Sequence, residues 1–288
     1  MGEAAGHAGL LLTVAYDGTA FSGFAAQPGR RTVQGVLQSA IATLTGERVE
    51  LRGASRTDAG VHATGQRVAF DTARRMPLDR WVRAFGAVLD ADVAVRAVHE
   101  CDPGYNPRLD ARHKRYRYLL HLGPARDPLW RTRAWHLGLR FAHPDARRGG
   151  PWLDVEAMRR AAALLVGTHD FSAFAAAGDR RADRTRTLFE VRVAERAHDE
   201  ADLVSIDVVG TAFLQHMVRI LVGTLVEVGR GHRAPEYVGT LLRPGASRAS
   251  AGPTAPPHGL CLVEVALGRG AGSASGSYSA LGSASDSG

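Results

Sequence analysis

The stretches Leu10–Gly18, LLLTVAYDG, and Thr32–Gly46, TVQGVLQSAIATLTG, carry two different hydrophobic periods. The first is a short apolar run closed by Asp17-Gly18, a turn signal, so a buried strand is expected over Leu10–Tyr16. In the second, Val33, Val36, Leu37, Ala40, Ile41 and Leu44 recur at helical spacing. Thr32 stands where a hydroxyl can accept the free amides of a first turn, and Gly46 where a helix ends. Working outward, strand-like segments follow at Val49–Gly53 and Gln66–Asp71, then an apolar-striped helix over Leu78–Leu89 and a further strand.

A comparable order returns downstream. Arg115–His121 (RYRYLLH) reads as a strand, Asp154 caps the helix VEAMRRAAALLVG, and Thr185–Glu195 and Leu203–Val209 read as paired strands. Phe213–Val228 reads as a long helix and Leu260–Leu267 as a closing strand. Helices set against mostly antiparallel strands predict an α+β fold of two similar halves, repeated in pattern and not in sequence. The expected organisation is a flexible start (1–9), an N-terminal half (10–104), a C-terminal half (105–268) and a disordered tail (269–288). That tail is built from Ser, Gly and Ala and has too little apolar surface to offset its ordering entropy.

The chain has 288 residues, 45% hydrophobic and 23% charged, which excludes a fibre and a disordered protein. No apolar run is long enough to span a bilayer, and the start MGEAAGHAG has no signal-peptide pattern, so a cytoplasmic location is expected, with no membrane partner. Cys101 and Cys261 read as ordinary thiols. Of 36 basic residues only Lys114 is a lysine. Between Arg108 and Arg148 eleven basic residues meet three acids, net +8, which leaves the rest of the chain at net −1. Such a localised excess is the electrostatic footprint of a nucleic-acid binder, or else a solvated charged face. Among twelve histidines none lies closer to another than His136 and His143, so no metal site is expected.

The most concentrated chemistry is Gly53–Gln66, GASRTDAGVHATGQ. Asp58 sits beside Ala59-Gly60, where the backbone can turn sharply and leave the carboxylate outward. Arg56 stands two residues away, placed to pair with it or to grip a phosphate. Taken alone, the same pattern also describes an Asx turn beside a surface arginine.

Six blocks lift that ambiguity. YDGTAFSGF (Tyr16–Phe24), RTVQGVLQ (Arg31–Gln38), GASRTDAGVHATGQ, HKRYRYLL (His113–Leu120), GTHDFSAF (Gly167–Phe174) and TAFLQHMVRILVGTLVEVGRG (Thr211–Gly231) occur in this order. Together they resemble the tRNA pseudouridine synthase A (TruA) family over roughly residues 10–267.

The resemblance implies the pseudouridine-synthase fold, a mixed, largely antiparallel sheet from two α+β halves flanked by helices, with the cleft between them. It places the catalytic aspartate on Asp58, the substrate-stacking tyrosine on Tyr116, the basic residue supporting the aspartate on Arg219, and RNA-contacting arginines on Arg56 and Arg108. It further implies a homodimer, a tRNA anticodon stem-loop as partner rather than DNA, and no cofactor. The reaction breaks the N1–C1′ bond of uridine, turns the uracil and rejoins it through C5. Asp58 acts as nucleophile or as the base that loosens a ribose proton, and an aromatic face replaces the stacking lost when the base is flipped out.

Three departures bear on substrate choice. Gly23-Phe24-Ala25 stands where the family usually has Gly-Trp-Gln, Pro107-Arg108-Leu109-Asp110-Ala111 where it commonly reads Ala-Arg-Phe-Ser-Ala, and Arg219-Ile220 where Arg-Asn is common. Two other readings remain: the same chemistry on free uridine or a uridine nucleotide, and a non-catalytic RNA-binding module. Asp58 speaks against the second and the net +8 segment against the first.

Overall fold

The structure, a computed structural model, describes residues 7–138, 153–199 and 202–268. Its centre is one mixed, mostly antiparallel sheet. Strand β1 (Ala8–Tyr16) lies between β3 (His62–Thr72) and β4 (Val93–Cys101), antiparallel to both. On the other side, β5 (Ala111–His121), β9 (Leu203–Gly210), β8 (Thr185–Glu195) and β7 (Gly167–Asp170) follow one another, again antiparallel. The last strand, β10 (Leu260–Leu267), inserts between these groups, parallel to β3 and antiparallel to β5. The sheet order is therefore β4-β1-β3-β10-β5-β9-β8-β7, with β2 (Arg52–Gly53) against β3 and β6 (Trp135–His136) against β5. A glycine makes the seam possible: a Cβ on Gly65 would collide with the carbonyl of Val263, so only glycine lets the two strands approach.

The four helices expected from the sequence pattern all form, some with shifted ends, and two short ones are added. Helix α1 (Val33–Thr45) is capped by the Thr32 hydroxyl, which accepts the Gly35 amide at 3.2 Å, and ends at Gly46 in the left-handed region, φ 77°. Its buried face is Val33, Leu37, Ala40 and Ile41. Helix α2 (Leu78–Val88) buries Trp81 and Phe85, α3 is the single turn Pro107–Asp110, and α4 (Val155–Ala163) is capped by Asp154. Helix α5 (Met217–Gly229) buries eleven of its thirteen residues, as a helix with almost no polar face must. The short α6 (Tyr237–Leu241) completes the set.

Several expectations shift. The strand expected over Val49–Gly53 shrinks to Arg52–Gly53, because glutamines of α1 take the free carbonyls: Gln38 donates to Val49 and Gln34 to Leu51. The strand expected from Gln66 begins at His62, and the helix expected from Phe213 begins at Met217. Ala8 and Gly9, expected in a flexible start, belong to β1. Part of the basic segment is neutralised on the sheet: Arg117 pairs with Asp207 at 3.0 Å and Arg115 with Glu190 at 3.4 Å. Residues 1–6, the tail from 269, and Arg140, Arg147 and Arg148 lie outside the described residues.

Gly223, in the middle of α5, tests this packing. Helix propensity alone favours alanine there by about 1 kcal/mol, but its Cβ would collide with the Pro253 carbonyl in the segment crossing the helix. Gly223→Ala is expected to destabilise by about 1–3 kcal/mol in urea unfolding. Exposed Gly86 of α2, with open space around it, is expected to gain about 0.5–1 kcal/mol from the same change. Equal effects at the two sites would contradict the close approach.

Candidate active site

The segment between β2 and β3 is held along its length. Buried Gln66 accepts the Ser55 amide at 3.2 Å and donates to the Ser55 carbonyl at 2.7 Å. The Thr57 hydroxyl bonds the Tyr16 hydroxyl at 2.7 Å, and the Thr57 carbonyl accepts the Phe24 amide at 3.1 Å. Gly23, at φ 101°, is needed for that contact, since a Cβ there would stand 2.9 Å from the Thr57 carbonyl. Val61 closes the turn by donating to the Asp58 carbonyl at 3.2 Å. With its backbone fixed on both sides, Asp58 projects its carboxylate into a cleft of about 690 Å³.

Across the cleft, the first turn of α5 brings Arg219, whose Nη1 lies 3.3 Å from Asp58 Oδ2. Arg219 is itself oriented, because its Nε donates to the Ala255 carbonyl at 2.7 Å. His216, in the left-handed region at φ 58°, brings Nε2 to 3.6 Å from the same carboxylate oxygen. Asp58 Oδ1 has no hydrogen bond among the described residues, and Asp58 lines the cleft. One oxygen is gripped and the other is left for chemistry.

Tyr116 on β5 lines the same cleft and is buried. Its hydroxyl bonds the Ser55 hydroxyl at 3.0 Å, and its ring packs edge-to-face with that of Phe213 at 5.1 Å between centroids and 82° between planes. Burial pushes this phenol up to about 12 despite the Ser55 bond, so it stays protonated at neutral pH and offers a ring and a donor, not a base. Arg56 and Arg108 line the cleft with exposed side chains, and neither guanidinium has an ion-pair or hydrogen-bond partner among the described residues. The acid beside Arg108, Asp110, accepts the Tyr105 hydroxyl at 2.6 Å and is absent from the lining. All five residues singled out from the sequence therefore meet in one cleft.

Three further charged or titratable lining residues were not among them. Lys114 and Arg181 bring further positive charge, and His216 touches Asp58. The signal for Lys114 was its being the sole lysine, whereas His216 sat inside what reads as a helix. The segment Phe213–His216 stays out of α5 because a loop beside it takes its backbone. The Gln215 amide donates to Asp179 Oδ2 at 3.0 Å, and Arg181 donates to the Phe213 carbonyl at 3.0 Å. Among the described residues no group of three His, Cys, Asp or Glu side chains is arranged to hold a metal ion.

Comparison with known proteins agrees with this chemistry. Residues 12–108 and 161–266 match the family model described as tRNA pseudouridine synthase. Asp58, Arg56, Arg108 and Arg219 fall inside the matched segments, and Tyr116 between them. The chain is 44% identical over 256 residues to a protein of Geotalea uraniireducens named tRNA pseudouridine synthase A, covering 89% of this chain and 98% of that one. The correspondingly named protein of Geobacter sulfurreducens is 44% identical over 257 residues with the same coverage, and that of Myxococcus xanthus 45% identical over 256, covering 89% and 91%.

Asp179 is the cornerstone of the loop that shapes the α5 side of the cleft. Burial alone would raise its carboxyl, but bonds from Arg181 and the Gln215 amide outweigh it and hold the group down at about 2. Its contribution to stability is full above the ordinary carboxylate range and is lost as pH falls through about 2. Asp179→Asn is expected to cost about 1.5–3 kcal/mol near neutrality. The gap from the parent protein, followed by urea unfolding against pH, should narrow below about pH 4. A gap that stays constant into strong acid would contradict the role.

Proposed function

Because this chain belongs to the tRNA pseudouridine synthase family, we propose that it isomerises uridine to pseudouridine in tRNA, on the 3′ side of the anticodon stem-loop, with Asp58 as the reacting group. The observation that carries this reading is the convergence of a gripped carboxylate, a buried tyrosine and unpaired arginines on one cleft. The uracil leaves C1′ through N1, turns, and returns through C5. C5 gives up its proton and N1 gains one, so nothing is oxidised, hydrolysed or supplied from outside. The free Oδ1 of Asp58 attacks as nucleophile or takes the ribose proton, while Arg219 holds Oδ2 in place and sets a permanent positive charge beside it.

The base must leave its stack to reach that oxygen. The Tyr116 ring on the cleft floor offers a surface to replace the stacking, and its position beside Ser55 ties it to the loop that carries Asp58. Arg56 and Arg108 at the rim hold the distorted backbone through its phosphates. A homodimer and a cytoplasmic location complete the proposal. Among the described residues no helix is long and apolar enough to cross a membrane.

Asp58→Asn is expected to bind tRNA about as well as the parent and to form no measurable pseudouridine, since an amide neither attacks nor accepts the proton. Turnover above the level of contamination would remove Asp58 from the mechanism. Tyr116→Phe should keep most of the activity and Tyr116→Ala lose it; a fully active alanine variant would end the stacking role. For binding, the logarithm of affinity should fall with the logarithm of salt at a slope of roughly −3 to −5, flattened by about one in Arg108→Ala. Salt-independent binding, or conversion of uridine monophosphate as efficient as that of tRNA, would replace RNA by a free nucleotide as substrate.

A further inference from the structure

Lys114 is the only lysine of the chain, against 35 arginines, and it lies in the cleft. It sits on β5 two positions before Tyr116, so both side chains are on the same face of the strand. Its ammonium group donates to the Ala54 carbonyl at 3.0 Å, at the root of the loop that carries Asp58. An ammonium has three donors, and this bond uses one. No carboxylate pairs with Lys114 among the described residues. Its register partners on the flanking strands, Gly210 and Val265, carry no charge. A half-buried cation with two unused donors and no counter-ion is costly unless an anion arrives to meet it.

We infer that Lys114 grips a backbone phosphate of the RNA that enters the cleft. This rests on the tRNA reading above and adds to it a residue and a consequence. The charged and titratable groups that share the cleft with it are Arg56 and Asp58 on the loop, Arg108 on α3, Tyr116 on its own strand, Arg181, and His216 and Arg219 at the start of α5, and of these Arg108 acts on its charge. Burial, and secondarily the repulsion of Arg108, push the ammonium down to about 8, so it holds its proton incompletely in mildly alkaline solution. A phosphate beside it favours the charged form, and binding then draws a proton from solvent. By linkage, affinity is greatest below the value of the free protein and falls as pH rises through it. An arginine in this place would stay charged throughout and show no such dependence.

The test is tRNA affinity at fixed ionic strength between about pH 7 and pH 9, with tRNA already converted to completion so that only binding is read. For the parent protein a roughly tenfold weakening across that interval is expected. Lys114→Arg should bind at pH 7 much as the parent does and hold its affinity to pH 9. Lys114→Met should be weaker at pH 7, with a profile as flat as that of the arginine variant. A parent profile parallel to that of Lys114→Arg, or a methionine variant that binds as tightly as the parent, would overturn the inference. Both outcomes are distinct from a failure of the tRNA reading, in which the parent protein neither binds nor converts tRNA and this inference falls with it.

Discussion

The ion pair between Asp58 and Arg219 joins residues 161 positions apart, and the topology of the molecule is what brings them together. Asp58 depends on β1 and β3, because the loop that carries it is anchored to Tyr16, Gln66 and Phe24. Arg219 depends on α5, which is buried in the other part of the molecule. Between them runs β10, the last strand in sequence, hydrogen-bonded to β3 on one side and β5 on the other. The segment preceding it holds Arg219 as well, since the guanidinium and the backbone carbonyl of that residue both bond Ala255. Displacing this segment would misplace the cation before it touched the carboxylate.

That arrangement explains why close backbone contacts gather around the site. Gly65 lets β10 meet β3, Gly223 lets the Pro253 segment cross α5, and Gly23 lets the first loop touch Thr57. Each is far from the others in sequence and each shortens a path between Asp58 and Arg219. The site is a polar pair set among rigid apolar elements, so its geometry is prepared before a substrate arrives. Around it the free cations are of two kinds. Arg56 and Arg108 are exposed at the rim, while Lys114 is drawn inward and already committed to the loop it supports.

Much of this was legible in the sequence. Period and caps located α1 and β1, and the closing strand Leu260–Leu267 matched its expected bounds. The blocks around Asp58, Tyr116 and Arg219 named residues that the fold does bring to one cleft. What the sequence hid was decided by partners far along the chain. The strand before Arg52 dissolved because Gln34 and Gln38 took its carbonyls, and the start of α5 moved to Met217 because Asp179 and Arg181 held the preceding backbone. The same long-range bonds put His216 against Asp58, a neighbour that helical spacing does not produce. The net +8 segment is likewise not all unpaired charge, because Asp207 and Glu190 meet two of its arginines on the sheet.

The central claim is that the carboxylate of this cleft moves the uracil of a tRNA nucleotide from N1 to C5, and the hydrogen at C5 reports on it directly. Purified protein should be given tRNA transcript tritiated at C5 of uridine, with no cofactor added, and the label released to water counted while the labelled positions are mapped. The account predicts release confined to uridines on the 3′ side of the anticodon stem-loop, one tritium for each pseudouridine formed. No release from tRNA by protein that binds it, or release from free uridine monophosphate in its place, would contradict it.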